Sequence, residues 1–247
     1  MAPRLMVHGQ DTSLGTSPSA EADLNRALEL LAEVKSGATP PMLRLYRPLP
    51  TVAFGQRDAN LPGFEAACAA AEAHGFAPVV RRAGGRAAAY HRGCLVVDHI
   101  QRQPDAIVDA KARFGFFADL FTTALRSLGV DARVGEIPGE YCPGEYSVHG
   151  IGAGLSLKLV GTAQRVVSGA WLFSTVIVVA DSAPIRSVLV DCYRALGLDW
   201  DPATAGAVDD LVPGLGVDTV EAAVLEAYRP FTELVHTRPF ESQLGRT

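Results

Sequence analysis

Apolar and polar positions change period several times along the chain, and each change marks an element. Leu24, Ala27, Leu28 and Leu31 recur at helical steps, which predicts a helix over residues 19–34; Ser17 or Ser19 can cap it, and Pro18 falls near its first turn. The alternating stretch MLRLY (42–46) and the run TVAFG (51–55) predict two strands separated by a proline-rich turn. Residues 64–74 read as an alanine-rich helix closed by Gly75, which suits a left-handed cap. APVVRR (77–82) and CLVVDHI (94–100) are β-branched runs on either side of a small-residue loop. A long helix is predicted over 106–128, with Phe117, Leu120, Phe121, Ala124 and Leu128 on one face and Gly129 at its end. ARVGEI (132–137) reads as a short strand. Residues 166–180 read either as two paired strands or as one strand bent at Ser168-Gly169. Helices over 184–196 and 217–227 complete the pattern, with an irregular Gly-, Pro- and Asp-rich stretch between them.

Strands outnumber helices in the middle of the chain, and their order is not a strict βαβ alternation. The expected class is α+β, with a mixed, mostly antiparallel sheet flanked by helices. No repeat, linker or low-complexity segment divides the chain, so residues 1–247 read as one domain.

Composition narrows the function classes. Nearly half of the residues, 48%, are apolar, enough for a sizeable core. The net charge of −5, with basic residues clustered only at Arg81, Arg82 and Arg86, argues against nucleic acid as a partner. The longest apolar run, 166–180, is too short and too interrupted by serine, glycine and threonine to span a bilayer, and the N-terminus has no signal-peptide core. The reading is a cytoplasmic protein with no membrane association. Its four cysteines, Cys68, Cys94, Cys142 and Cys192, form no CxxC pair and read as free thiols.

Three stretches can carry chemistry. RRAGGRAAAYH (81–91) lies between two strands: its glycines allow close approach of a ligand to the backbone, and Arg81 and Arg86 can hold a carboxylate or phosphate. The same stretch also reads as a plain small-residue hairpin with surface arginines, and His91 as a structural histidine. GIGAG (150–154) lacks the strand-to-helix context of a dinucleotide loop and reads as a turn. No P-loop and no dense metal-ligand spacing occurs, so no metal site is expected. The third stretch is CPGEYSVHGIGAGLSLKLVGTAQR (142–165), which sets a thiol and an amine sixteen positions apart. Cys142 lies in a loop, where a thiol is accessible, and a nearby cation favours its thiolate. Alternation puts Ser156, Lys158 and Val160 on one strand face. An ammonium there can anchor an acyl carbonyl or a phosphate, or favour the thiolate; a surface lysine beside a chance loop cysteine fits the spacing equally well.

LRLYRPLPTVAFGQRDAN (43–60), VVRRAGGRAAAYHRGCL (79–95) and KLVGTAQR (158–165) resemble the three sequence blocks of the lipoate–protein ligase and octanoyltransferase superfamily, over roughly residues 20 to 230. The resemblance implies the fold of the biotin/lipoate protein ligases, which is related to class II tRNA synthetase catalytic domains. It implies that Lys158 is a catalytic-site residue contacting the acyl group or the acyl-adenylate. It also implies that Arg81, Gly84, Gly85, Arg86, Ala87 and His91, together with Gly161, Thr162 and Ala163, contribute to the substrate pocket. Only Ala83 separates Arg82 from Gly84, and the glycine register favours Arg81 as the equivalent arginine. YCPGEYS (141–147) resembles the cysteine loop of the octanoyltransferase branch, in which a cysteine about fifteen positions before the lysine forms a thioester; here that is Cys142. The expected activity is transfer of an octanoyl or lipoyl group from an acyl carrier protein, through Cys142, to a lysine of a lipoyl-domain protein, by a monomer needing no cofactor. His149 is a candidate base near Cys142, and Val80, Ala88 and Val160 are candidates to line the acyl channel. The alternatives are an ATP-dependent lipoate ligase with magnesium, in which Cys142 is incidental, and a non-catalytic acyl-binding protein of the same fold.

Overall fold

The computed structural model describes residues 3–9, 19–152 and 154–236. Along the chain run β1 (Arg4–His8), α1 (Ala20–Ser36), β2 (Met42–Tyr46), β3 (Thr51–Phe54), the single turn α2 (Gln56–Ala59), α3 (Phe64–Ala73), β4 (Ala77–Val80), β5 (Ala88–Tyr90) and β6 (Cys94–Arg102). There follow α4 (Ala110–Ser127), β7 (Asp131–Val134), β8 (Val148–Gly152), β9 (Leu155–Val167), β10 (Ala170–Val178), α5 (Ser182–Leu196), the short α6 (Val208–Leu211), α7 (Val217–Tyr228) and β11 (Glu233–His236). Eight strands form one sheet in the order β11-β1-β2-β6-β10-β9-β8-β7, and β4-β3-β5 form a second. Pairing is antiparallel from β2 to β7, and parallel where β1 meets β2 and β11 and where β3 meets β4. The expected α+β class with a mixed, mostly antiparallel sheet is what the chain adopts.

Alternation along the strands sorts the core into layers. Leu172 and Ile100 pack with Leu30, Leu31 and Val34 of α1. Phe173 and Ile177, one residue out of phase with Leu172, pack instead with Phe117, Phe121 and Leu125 of α4 and with Val220 and Val224 of α7. The small sheet has its own cluster, in which Val52, Phe54 and Ala89 meet Ala67 of α3 and Val188, Leu189 and Cys192 of α5. α1 begins where its cap dictates: the Ser19 side chain accepts the Ala22 N–H at 3.1 Å, while Ser17 and Pro18 lie outside the described residues.

Several expectations needed correction. α4 starts at Ala110, not residue 106, because residues 105–110 turn before the helix: Val108 N–H reaches the Asp105 carbonyl and Ala110 N–H the Ile107 carbonyl. Residues 166–180 resolve into the paired option, β9 and β10 joined across Gly169 at φ +87°. GIGAG is not merely a turn: it ends β8 and leads into β9. Part of the presumed loop between the β-branched runs is β5. The strict alternation expected along β9 also fails. A register shift at Val148/His149, where β8 meets β9, turns Leu159 and Val160 both into the core and leaves Lys158 and Gly161 facing a cavity on the other side.

Candidate active site

Two loops and one strand build the site. The loop from β7 to β8 carries Glu140, Tyr141 and Cys142, the loop from β4 to β5 carries Arg81 to Arg86, and β9 carries Lys158. Lys158 is buried, so its ammonium needs partners. It donates to Glu140 Oε1 at 2.9 Å, to the Tyr141 carbonyl at 2.9 Å and to the Cys142 carbonyl at 2.7 Å. Those three bonds exhaust the donors of an ammonium. Glu140 is equally satisfied: its carboxylate also accepts from Ser147 Oγ at 2.6 Å, Gly144 N–H at 3.1 Å and Ile137 N–H at 3.3 Å. The pair thus pins the cysteine loop to the sheet from below.

Cys142 occupies the left-handed region at φ +44°, one of two described non-glycine residues with positive φ. The Tyr193 hydroxyl holds it there, accepting the Cys142 N–H at 2.8 Å while donating to the Ala87 carbonyl at 2.9 Å. Burial keeps that phenol well above its ordinary pKa range, so it stays a neutral donor and acceptor. This conformation turns Sγ toward the glycine loop, where it accepts from Arg86 N–H at 3.2 Å and lies 3.5 Å from Arg81 Nη2. Cys142 is half-buried, whereas Cys94 and Cys192 are fully enclosed and burial pushes their thiols up to about 12.

The glycine loop is fixed in turn from behind. The Arg86 guanidinium pairs with Asp58 at 3.0 Å, and that buried carboxylate also accepts the Gly55 N–H at 2.9 Å. Arg81 Nη2 donates to the Arg86 carbonyl at 2.7 Å. Gly85 sits at φ +108°, where a Cβ would come within 2.4 Å of Arg81 Nη2 and 2.9 Å of the cysteine sulfur.

In front of these groups opens a cavity of about 850 Å³, within the range of about 300–1,000 Å³ common for small-molecule sites. Arg81, Gly84, Gly85, Cys142, Lys158, Gly161, Thr162 and Ala163 all line it. Its inner wall is largely apolar, with Tyr46, Ala88, Ala89, Val96 and Val176, interrupted by Asp98 and Ser174. Burial raises the Asp98 carboxyl, against the opposing pull of Arg44 at 3.3 Å and Ser174 at 2.6 Å.

The remaining expected residues stand elsewhere. Arg86 takes part through its backbone N–H, with its side chain committed to Asp58, and Ala87 through its carbonyl. His91 does not reach the cavity: its ring accepts the Gly93 N–H at 2.8 Å and bonds the Asp181 carbonyl at 2.9 Å, which fastens the β5–β6 turn. His149 bonds the Gly135 carbonyl at 2.9 Å and lies outside the cavity lining, as does Val160, while Val80 and Ala88 line it. Glu140, Asp58 and Tyr193 escaped the sequence reading. A lysine flanked by leucines on a strand demands a counter-ion, and the cysteine loop offers Glu140 and Glu145 as candidates. Asp58 and Tyr193 carry no comparable local signal.

Residues 20–229 match the family described as the lipoyl protein ligase A/B catalytic domain. The octanoyl-[GcvH]:protein N-octanoyltransferase of Geobacillus kaustophilus is 29% identical over 184 residues, which cover 74% of this chain and 63% of that protein. The chain therefore spans less than two thirds of that relative's length. The octanoyl-[GcvH]:protein N-octanoyltransferase of Oceanobacillus iheyensis is 25% identical over 255 residues, covering 97% of this chain and 88% of the relative. Among solved structures, the bi-partite lipoate protein ligase of Thermoplasma acidophilum superposes with a TM-score of 0.62 at 20% identity, covering 96% of this chain and 88% of that one. A lipoate-protein ligase A bound with ATP superposes at 0.63 and 18% identity, covering 96% and 89%. At such identities the likeness speaks for the fold.

Proposed function

Because the chain belongs to the lipoyl protein ligase A/B catalytic domain family, we propose that it moves an octanoyl or lipoyl group between proteins through a thioester on Cys142. One observation carries this reading: a half-buried thiol at the cavity wall, held in a left-handed conformation so that its sulfur meets Arg86 N–H and Arg81. In the first step the thiolate attacks the acyl carbonyl carbon of the donor. A C–S bond forms and the carbonyl π pair moves to oxygen, where N–H groups of the glycine loop can receive it. Collapse expels the donor's heteroatom, which leaves with the proton the thiol gave up. In the second step the neutral amine of an acceptor lysine attacks the thioester: C–N forms, C–S breaks, the sulfur leaves as thiolate and the amine's proton passes to water. The apolar inner wall takes the acyl chain.

The curated relatives' names carry octanoyl-[GcvH] in the donor position, where the sequence reading expects an acyl carrier protein. We take an acylated protein of the GcvH kind as donor and a lipoyl-domain protein as acceptor, with one catalytic domain spanning 1–247 and acting as a monomer. The ligase alternative needs ATP and magnesium, and two of the basic groups at the site are already committed. The Arg86 side chain is paired with Asp58 and all three Lys158 donors are engaged, which leaves Arg81, Arg82 and Arg165 to meet an anion at the cavity wall; the Cys142 thiol at that wall is what favours the transferase.

The test is transfer from each donor protein separately to an unmodified lipoyl domain, followed by the acceptor's mass. Transfer without ATP, lost in Cys142→Ser, is expected, since an alcohol is a far poorer nucleophile. An absolute need for ATP, or normal transfer by Cys142→Ser, would overturn the proposal.

A further inference from the structure

Three cations surround Cys142, and they are not equivalent. The ammonium of Lys158 spends its three N–H bonds on Glu140 and on the carbonyls of Tyr141 and Cys142, which leaves none for sulfur. Its charge is also matched at 2.9 Å by a carboxylate as buried as itself. A tight pair of opposite charges projects little net field on a third group. Arg86 is likewise neutralised, its guanidinium lying 3.0 Å from the fully buried Asp58 carboxylate. Arg81 differs: among the described residues no carboxylate lies within ion-pair distance of it, its Nη2 is 3.5 Å from the sulfur, and its other bond is to the neutral Arg86 carbonyl.

The other ionisable groups near the thiol do not change this balance. Tyr141 and Tyr193 are kept as neutral phenols by burial. Glu145 at the rim lies 3.6 Å from Lys111 and both are exposed. Arg82 and Arg165 line the cavity without a bond to the sulfur.

We propose that Arg81 is a catalytic residue, the cation that faces the Cys142 sulfur and stabilises its negative charge as it reacts, with Arg86 N–H beside it, whereas the Lys158–Glu140 pair is a positioning strut for the loop. This deepens the acyltransferase reading and rests on it for its purpose, but its test needs no acyl donor. The rate of iodoacetamide alkylation at Cys142, followed by peptide mass, is recorded from pH 5.5 to 10 for five proteins: wild type, Arg81→Gln, Arg81→Met, Arg81→Lys and the charge-neutral double variant Lys158→Met/Glu140→Gln. Removing the cation that faces the sulfur should slow alkylation at pH 7 about tenfold in Arg81→Gln and Arg81→Met. Arg81→Lys, which keeps the charge, should restore most of the difference. The double variant should lose folding stability, because it unpins the cysteine loop, whereas Arg81→Lys should not. Alkylation unslowed in both Arg81→Gln and Arg81→Met, or no faster in Arg81→Lys than in them, overturns the assignment. Wild type that transfers no acyl group, yet shows the Arg81-dependent profile, would count against the function alone.

Discussion

Replacing Gly85 by alanine perturbs the thiol without touching it chemically. At φ +108° an L-residue is strained, which costs about 1–3 kcal/mol. The new methyl would also stand 2.4 Å from Arg81 Nη2 and 2.9 Å from Cys142 Sγ, so the guanidinium, the mobile partner, must swing away. Losing a hydrogen bond from a charged group is worth about 1.5–3 kcal/mol, which converts to about 10- to 150-fold in the rate of acylation or alkylation at Cys142. Gly84 is the built-in control. Its φ is not positive, and an added Cβ meets nothing within 4 Å. Gly84→Ala should therefore leave stability within about 0.5 kcal/mol of wild type. The assay is a urea unfolding curve for each variant, which gives stability, paired with the alkylation rate of Cys142 at pH 7.5. Equal effects of the two substitutions on the alkylation rate, or an unslowed Gly85→Ala, would refute the geometry given for the glycine loop.

Tyr193→Phe removes the acceptor of the Cys142 N–H and the donor to the Ala87 carbonyl. It should cost about 1–3 kcal/mol in urea unfolding and slow alkylation at Cys142; unchanged stability would mean that the cysteine conformation is held by something else. A pH effect arises on the far side of the sheet. Burial among Phe117, Trp171 and Tyr228 pushes the His99 imidazole down to about 3, whereas an unfolded chain titrates near about 6.5. The unfolded state thus gains a proton there before the folded state does. The contribution is complete above the unfolded value and drains as pH falls toward 3, by about 2 kcal/mol between pH 7 and pH 5. His99→Phe should flatten that part of the stability profile, and an unaltered slope would remove His99 as its source.

The sequence made the scaffold legible where periodicity and caps agree. Ser19 and Gly75 end their helices as their residue types require, and the β-branched runs became strands. It was silent on β1 and β11, five- and four-residue strands near the chain ends with no turn signal to frame them. It misjudged β9 because a register shift reverses which side chains face inward, and nothing in the alternation of Leu155 to Val160 announces such a shift. At the site, Cys142, Lys158, Arg81 and the glycines were readable from spacing and resemblance. Their division of labour was not. That Lys158 faces carbonyls and Arg81 faces sulfur depends on the left-handed turn at Cys142 and on Glu140, and both are products of tertiary packing. His91 shows the converse: it stands in a functional-looking block, yet its ring is consumed by the turn it closes.

The central claim is a covalent one, and intact mass tests it most directly. The protein is incubated with an octanoylated donor protein in the absence of ATP, quenched in acid and weighed, then digested to locate any adduct. The account predicts a gain of one octanoyl group on Cys142, released by hydroxylamine as a thioester should be, and absent from Cys142→Ser. No adduct until ATP is supplied, or an adduct that resists hydroxylamine or maps to another residue, would contradict it.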